Sequence, residues 1–324
     1  MMESIKVLNK KTEISVKEGY KTKNSILKQI KNCWQLYVIF FLPLVYIIVF
    51  HYIPMYGVTI AFKNFNPVQG ILGSPWIGFD HFVRFFHSYE FKRVILNTLV
   101  LSFYQLLAGF PFPILLALAI NYVNKKHFKK TIQMVSYAPH FISVVVMVGI
   151  ILVFLEPRGP INSLLNLLGF DSINFMGNPD NFKSIYVWSG IWQNIGFGCI
   201  IYLAALSSVN QSLHEAAVVD GATKLQRIWH IDIPGILPIM IILFILDTGS
   251  ILSVGFEKVL LLQNPLNLRT SEVIDTYVYK VGLVSAVPSY SYAAAIGLFK
   301  AVIGFIMIIT VNKIAKKVGQ ENLW

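Results

Sequence analysis

The chain alternates long apolar runs with shorter polar ones. Six apolar runs lie near residues 36–61, 94–122, 133–155, 185–206, 236–256 and 291–314. Each reaches the roughly 20 residues that a helix needs to cross a hydrocarbon layer about 30 Å thick. In hydrocarbon every backbone N–H and C=O needs an internal partner, and a helix supplies all of them within one segment. The pattern predicts an all-α integral membrane protein with six transmembrane helices. A Lys-rich tail over 1–35 precedes a membrane domain over 36–315, and a short tail over 316–324 comes after it. The first tail is not a secretory signal: the apolar run behind it is too long and lacks a small-residue cleavage site.

The polar run between the fourth and fifth spans, 207–238, is too long for a turn and too short for a domain. Its centre reads EAAVVDGATKLQRIWHIDIPGILP over 215–238. Leu213, Ala216, Ala217 and Val218 favour a helix. Gly221 interrupts it, since glycine inside a helix costs about 1 kcal/mol relative to alanine. Helical spacing resumes over 222–231, with Leu225, Ile228 and Trp229 on one strip. Pro234 and Pro238 mark the start of the next membrane helix. The expected product is two short helices around a glycine bend. Ala216, Ala217 and Gly221 leave a low surface that a partner can approach closely.

Composition narrows the class. Of 324 residues, 55% are hydrophobic and 13% charged, against about 25% charged in soluble domains. Mean hydropathy is +0.62. A net charge of +11 would suggest a nucleic-acid partner for a soluble protein, but its distribution gives another cause. Lys and Arg number seventeen in the first tail, the 121–132 loop, the 207–238 loop and the C-terminal end from Lys313, against nine in the loops of the alternate side. The positive-inside rule then places both termini and the 207–238 loop in the cytoplasm, with the chain in the cytoplasmic membrane. No nucleic-acid partner is expected. Cys33 and Cys199 are isolated, and the seven histidines are scattered without metal spacing. No disulfide framework, metal site or catalytic residue is expected. No G-x-x-x-x-G-K-[ST] loop occurs, so a nucleotide-driven process needs a separate chain.

Glu215, Ala216, Ala217, Asp220, Gly221, Ala222, Ile231, Pro234 and Pro238 together resemble the EAA loop of ATP-binding-cassette importer permeases. Ile228 and Ile233 depart from an aromatic and a leucine common there, and both stay apolar. IAFKNFNP, SPWIGFDHF, FPFPILLALAINYV, SYAPHFIS, IIYLAALSSV and IDTYVYKVGL extend the resemblance from about residue 34 to Trp324. They are similar to the branch that serves aldouronate, alginate and pectin-derived fragments. The resemblance implies the type I importer permease fold. It implies that the loop is a coupling helix seated in a cleft of a cytoplasmic ATPase. Glu215, Ala216, Ala217, Asp220, Gly221, Ala222 and Pro234 would then form the contact. It also implies a second homologous permease as heterodimer partner, two ATPase subunits that hold ATP and Mg²⁺, and an external solute-binding protein. The substrate would be an oligosaccharide, and this chain would carry no cofactor.

Sugars stack their apolar faces on aromatic rings and give their hydroxyls to amides and carboxyls. The fourth span offers Tyr186, Trp188, Trp192, Gln193, Asn194 and Tyr202. Trp188 and Trp192, four apart, share a helix face, and Gln193 and Asn194 are costly facing lipid. Tyr104 and Gln105 in the second span, with Asn97 near its outer end, offer the same chemistry. An interfacial aromatic belt with amide contacts between helices accounts for these residues equally well. The outer loops are rich in amides and aromatics, which suits a delivered ligand or interfacial anchoring. The fifth span ends in Gly249, Ser250, Ser253 and Gly255, followed by Glu257, where packing or an outer gate fits. Asp247 and Lys300 fall near mid-depth, where a charge costs at least about 2.5 kcal/mol. A mutual ion pair is expected, with path-lining or a neutral, hydrogen-bonded Asp247 as alternatives. An ion-coupled secondary transporter using Asp247 and Lys300 is the alternative function, although no internal repeat is visible. A membrane enzyme would need clustered His, Asp or Cys, which the sequence lacks.

Overall fold

The computed structural model describes residues 31–249 and 251–317, so the tails expected over 1–35 and 316–324 lie mostly outside the described residues. Among the described residues, six helical stretches are long and apolar enough to cross a membrane. They are Trp34–Phe62, Tyr89–Asn121, Val144–Leu167, Asn181–Ser207, Lys224–Gly249 and Tyr290–Ile314. The chain divides into two compact units between Thr59 and Ile60. The first holds α1 (Trp34–Ile47), which continues through a π turn over Ile48–Tyr52 into Ile53–Met55. α1 is apolar on every side, the mark of a helix made for lipid or for a core. The π turn comes just before Pro54, whose ring would meet the carbonyl four residues back in a regular helix.

The second unit is built on one long helix. In chain order it contains α2 (Asp80–Phe86), α3 (Tyr89–Gly109), α4 (Pro111–Asn121), α5 (Lys126–Tyr137), α6 (Val144–Leu155), α7 (Pro160–Leu167) and α8 (Asn181–Ser207). Next come α9 (Gln211–Val219), α10 (Lys224–Arg227), α11 (Ile233–Gly249), α12 (Phe256–Leu262), α13 (Ile274–Tyr279) and α14 (Tyr290–Lys317). The long helix is α8. Toward its start, Phe182, Tyr186, Val187 and Ile191 join Leu101 of α3, Val148 of α6 and Val259 and Leu262 of α12 in one core. Toward its end, Cys199, Tyr202 and Leu206 join Ile114, Ala117 and Leu118 of α4 and Ile236 of α11 in a second. A third core gathers Phe85 of α2, Val94 of α3, Ile274 and Tyr277 of α13, and Tyr292 and Ile296 of α14. α8 meets α5 most closely at Gly196, where a Cβ would stand 2.0 Å from the Ser136 carbonyl oxygen. Small residues are what let membrane helices come this near.

Two spans differ from the expected ones. The apolar run 133–155 is not one helix: α5 ends at Tyr137, Ala138–Phe141 forms a turn, and α6 starts afresh. Pro139 removes a backbone donor, and Ser143 caps α6 by accepting from the Val146 N–H at 3.4 Å. Local backbone chemistry outweighs apolar composition there. The fifth span begins at Lys224 instead of 236, and α11 stops at Gly249, leaving 251–255 non-helical. It starts early because Thr223 and Gln226 form a capping box. The Gln226 N–H donates to Thr223 Oγ1 at 3.3 Å, and the Thr223 N–H to Gln226 Oε1 at 2.7 Å. A π turn over Ile228–Asp232 carries the helix past Pro234. Pro234 and Pro238 therefore lie inside the helical stretch and do not mark its start.

The connection from α12 to α14 is pinned to α3. Asn97 donates to the carbonyls of Arg269 and Glu272 at 2.9 and 3.1 Å, and the Ile274 N–H donates to Thr98 Oγ1 at 2.9 Å. Arg93 pairs with Glu272. Asn97 is a clamp on that connection. The clamp also places Asp275 of α13 against α14, where Lys300 Nζ lies 2.6 and 2.8 Å from its two oxygens. The expected Asp247–Lys300 pair is thus replaced by Asp275–Lys300. Equal depth on two helices does not make their side chains face each other, and α13 brings in another carboxylate.

Gly196→Ala should lower the melting temperature of the detergent-solubilised protein by several degrees, since overpacking costs about 1–3 kcal/mol. Gly149→Ala, where a Cβ meets nothing within 4 Å, should not lower it. In the same assay Lys300→Met should destabilise more than Lys300→Met/Asp275→Leu, because the single change leaves a part-buried carboxylate without its cation. Equal melting points for those two variants would refute the pair's structural role.

Candidate functional site

The segment joining α8 to α11 folds into a knuckle. Asn210 caps α9 by accepting from the Ser212 N–H at 3.0 Å. α9 ends in a Schellman arrangement: the Ala222 N–H donates to the Ala217 carbonyl at 2.8 Å and the Gly221 N–H to Val218 at 3.1 Å. That closure needs a left-handed residue, and Gly221 has φ +78°. The glycine turns the chain directly into α10. The sequence leads one to expect two separate short helices, but α10 is the first turn of the fifth span. Glu215, Ala216, Asp220, Gly221 and Pro234 are exposed, and Ala217 and Ala222 are half-buried. Val219, Leu225 and Trp229 are 86%, 69% and 65% exposed. Large apolar side chains gathered on an exposed polar segment mark an interaction face.

Beneath the knuckle lies a buried polar cluster that the sequence does not reveal. Asp232, in the π turn, is fully buried. Tyr122, the residue after α4, donates its hydroxyl to Asp232 Oδ2 at 2.6 Å. His214 Nε2 of α9 stands 3.3 Å from Asp232 Oδ1, and the Arg227 guanidinium lies 5.5 Å above the Tyr122 ring. Burial, then the Asp232 carboxylate, pushes the Tyr122 phenol up to about 12, so it stays a donor.

A cavity of about 430 Å³ opens between α3, α4, α8 and α11. Of the sequence candidates, Gln105, Asn194, Tyr202, Asp247 and Ser253 line it, together with Ser102. Much of the remaining wall is apolar, including Leu106, Phe110, Ile191 and Leu243. A few convergent polar groups on an apolar wall are what a small-ligand site shows. Ile251, Ser253 and Val254 reach the cavity from the non-helical stretch. Irregular backbone at membrane depth is tolerated where it is buried or lines a cavity, so the helix break and the cavity go together. Asn194 is held in place: Oδ1 lies 3.0 Å from His140 Nδ1, and Nδ2 donates to the Gly190 carbonyl at 3.0 Å. His140 is itself stacked on Phe197, with centroids 4.0 Å apart. Ser102 sits one turn before Gln105, a spacing that could have flagged it. His140 reaches α8 from the turn after α5, which no local spacing reveals.

The other candidates fall elsewhere. Gln193 is buried and donates to the Ile142 carbonyl at 3.1 Å, tying α8 to the turn before α6. Trp192 lines a separate apolar groove with Thr131, Ile132 and Val135 of α5. Trp188 donates its indole N–H to Tyr104 Oη at 2.9 Å, with Phe112 edge-on at 5.4 Å, outside the cavity wall. Glu257 is exposed in the first turn of α12. Lys258, for which the sequence offers no signal, is 8% exposed; its Nζ donates to the Tyr186 carbonyl at 3.1 Å and lies 4.9 Å from that ring. Burial pushes this ammonium down to about 8. A Cβ at Gly190 would stand 3.3 Å from it; Gly190 lines the cavity and Lys258 does not, so the cation sits in the layer behind the wall.

Residues 91–320 match the family model described as "Binding-protein-dependent transport system inner membrane component". Protein LplB of Bacillus subtilis (strain 168) is 44% identical over 290 residues, covering 89% of this chain and 91% of LplB. The polygalacturonan/rhamnogalacturonan transport system permease protein YteP of the same strain is 42% identical over 305 residues, 94% of each chain. Among solved structures, a bacterial ABC transporter involved in the import of the acidic polysaccharide alginate superposes with a TM-score of 0.84. It is 42% identical, covering 91% of this chain and 99% of that one. With six spans, an exposed knuckle between the fourth and fifth, and a cavity beside it in sequence, the chain belongs to the family of binding-protein-dependent transport system inner membrane components, as a multi-pass permease subunit of an ABC importer.

Proposed function

We propose that this permease forms one side of the path by which a uronate-containing oligosaccharide enters the cell. The full-length likeness to YteP and to the alginate importer carries the assignment. The alginate importer is also known in complex with an alginate pentasaccharide-bound periplasmic protein, which supports delivery by a solute-binding protein here. The amides of Gln105 and Asn194 and the hydroxyls of Ser102, Tyr202 and Ser253 suit sugar hydroxyls, and the apolar wall suits sugar C–H faces. A second, homologous permease supplies the facing half of the path. The 36–315 membrane domain has both tails and the knuckle on the cytoplasmic side. There Glu215, Ala216, Ala217, Asp220, Gly221, Ala222 and Pro234 meet an ATPase subunit, one for each permease. ATP and Mg²⁺ are held and hydrolysed in those subunits, not in this chain. The exposed Val219, Leu225 and Trp229 support a partner at this face. The ion-coupled alternative loses support because Asp275 already neutralises Lys300.

Two measurements test this. Tagged and purified from membranes, the chain should bring down an ATPase and a second permease. ATP hydrolysis by that complex should rise with binding protein loaded with oligogalacturonide. Recovery without an ATPase, or stimulation by neutral maltodextrin alone, would overturn the assignment. Gly221→Asp should insert normally yet lose about tenfold in uptake, the loss expected when about 1.4 kcal/mol of docking energy goes. Gly221→Asn, which tolerates the left-handed backbone without adding charge, should keep most of it. Wild-type uptake by the Asp variant would remove the docking role of this position.

A further inference from the structure

We propose that Tyr122, Asp232 and His214 form a buried latch that makes the knuckle and the cavity-lining helices move as one body, so that Asp232 is a positioning residue for coupling. The proposal rests on the reading that the knuckle receives the work of an ATPase. α9 contributes no buried residue, so apolar packing does not fix its attitude. Its side chains do include His214, whose ring is 13% exposed and faces a carboxylate that is fully buried. The same carboxylate accepts from Tyr122 across 110 residues of sequence. One side chain on the π turn therefore touches the coupling helix with one oxygen and the end of α4 with the other.

The arrangement is a poor way to gain stability. Asp232 Oδ1 and the nearby Arg227 Nε are buried and find no hydrogen-bond partner among the described residues. A buried carboxylate short of partners costs free energy that an apolar trio of similar volume would not. What it does supply is one directional hydrogen bond, from Tyr122, and a close polar contact at 3.3 Å to His214, both on the same buried side chain. The elements it joins lead to the cavity: α4 carries Pro113 and α11 carries Leu243 and Asp247, all on its wall. A tilt of α9 is passed through Asp232 to both helices. With an apolar contact in its place, α9 could roll without moving them.

The test uses the assembled importer in liposomes and needs no substrate. In a Cys33→Ser background, Ser253→Cys places a thiol on the cavity wall. Its labelling rate with a membrane-impermeant maleimide is compared without nucleotide and after trapping with ATP and vanadate. A severalfold difference between the two states is expected. Tyr122→Phe, Asp232→Asn and His214→Gln should abolish that difference while the complex still traps nucleotide. Tyr122→Phe/Asp232→Leu should restore thermal stability without restoring the difference, which a merely structural role would not produce. Persistence of the difference in the latch variants, with its loss in Gly221→Asp, would overturn the latch and leave the knuckle's role standing. No difference in the unlatched and latched complexes alike would overturn both. Loss of nucleotide trapping in all three variants would replace the positioning role with a structural one.

Discussion

The structure depends on how closely α8 can be approached. Lipid tails are as apolar as leucine, so membrane helices gain little by burying apolar faces against each other. Contact then rests on dispersion at short range and on polar ties. Gly196 lets α5 bring its backbone against α8, and Gly198 admits Pro113 of α4, whose ring would stand 3.3 Å from a Cβ there. With neighbours this close on two sides, α8 feeds two separate cores. Its remaining face carries Gly190, Asn194, Gly198 and Ile201, at steps of four and three residues, and that face is the cavity wall. Gly198, which lets α8 pack, also leaves the cavity room.

The irregular backbone of the second unit is tolerated because side-chain amides satisfy it. Asn267 is fully buried; it donates to the Leu262 carbonyl at 3.1 Å and accepts from Ser271 Oγ at 2.9 Å. Gln263 donates to the Ser271 carbonyl at 2.8 Å, and Asn264 to Met176 at 2.9 Å. Amides in this connection, which the sequence suggests as ligand contacts, are largely occupied in holding it together. That occupation fixes where α13 lies, and so decides which carboxylate meets Lys300.

Much of the plan is legible from one-dimensional signals. Six apolar runs and a glycine after a helix-forming segment lead to the spans and the knuckle, because apolar length and left-handed helix stops are local properties. Gln105, Asn194, Tyr202, Asp247 and Ser253 line the cavity, since a polar group inside a span has few tolerable places to point. The misses share one cause. Tyr122 with Asp232, His140 with Asn194, Lys258 with Tyr186 and Lys300 with Asp275 are all pairs between different elements. Their partners are set by which helices neighbour which, and periodicity within one helix carries no such information. The third and fifth spans depart from their apolar runs for a different reason: Pro139, Ser143 and Thr223 set helix ends that apolar content alone does not reveal.

On the reading proposed above the knuckle is a coupling element, and such an element faces two opposed demands. It has to expose apolar side chains to a partner, and it has to keep them from folding back onto the membrane domain when the partner moves. Burial cannot meet the second demand without defeating the first. The knuckle meets both through backbone chemistry: Asn210 fixes the start of α9, the Gly221 closure fixes its end, and the Thr223–Gln226 box fixes the start of α10. Each end of the bend has its conformation set by a hydrogen bond or by a glycine, so Val219 and Leu225 stay outward without being packed. Stiffness achieved this way is local. It makes α9 a rigid handle, but it does not say what the handle turns, and a handle none of whose residues is fully buried needs an anchor beneath it. In this chain the π turn that accommodates Pro234 brings Asp232 to that place, so the accommodation of a proline and the seating of α9 are one local event.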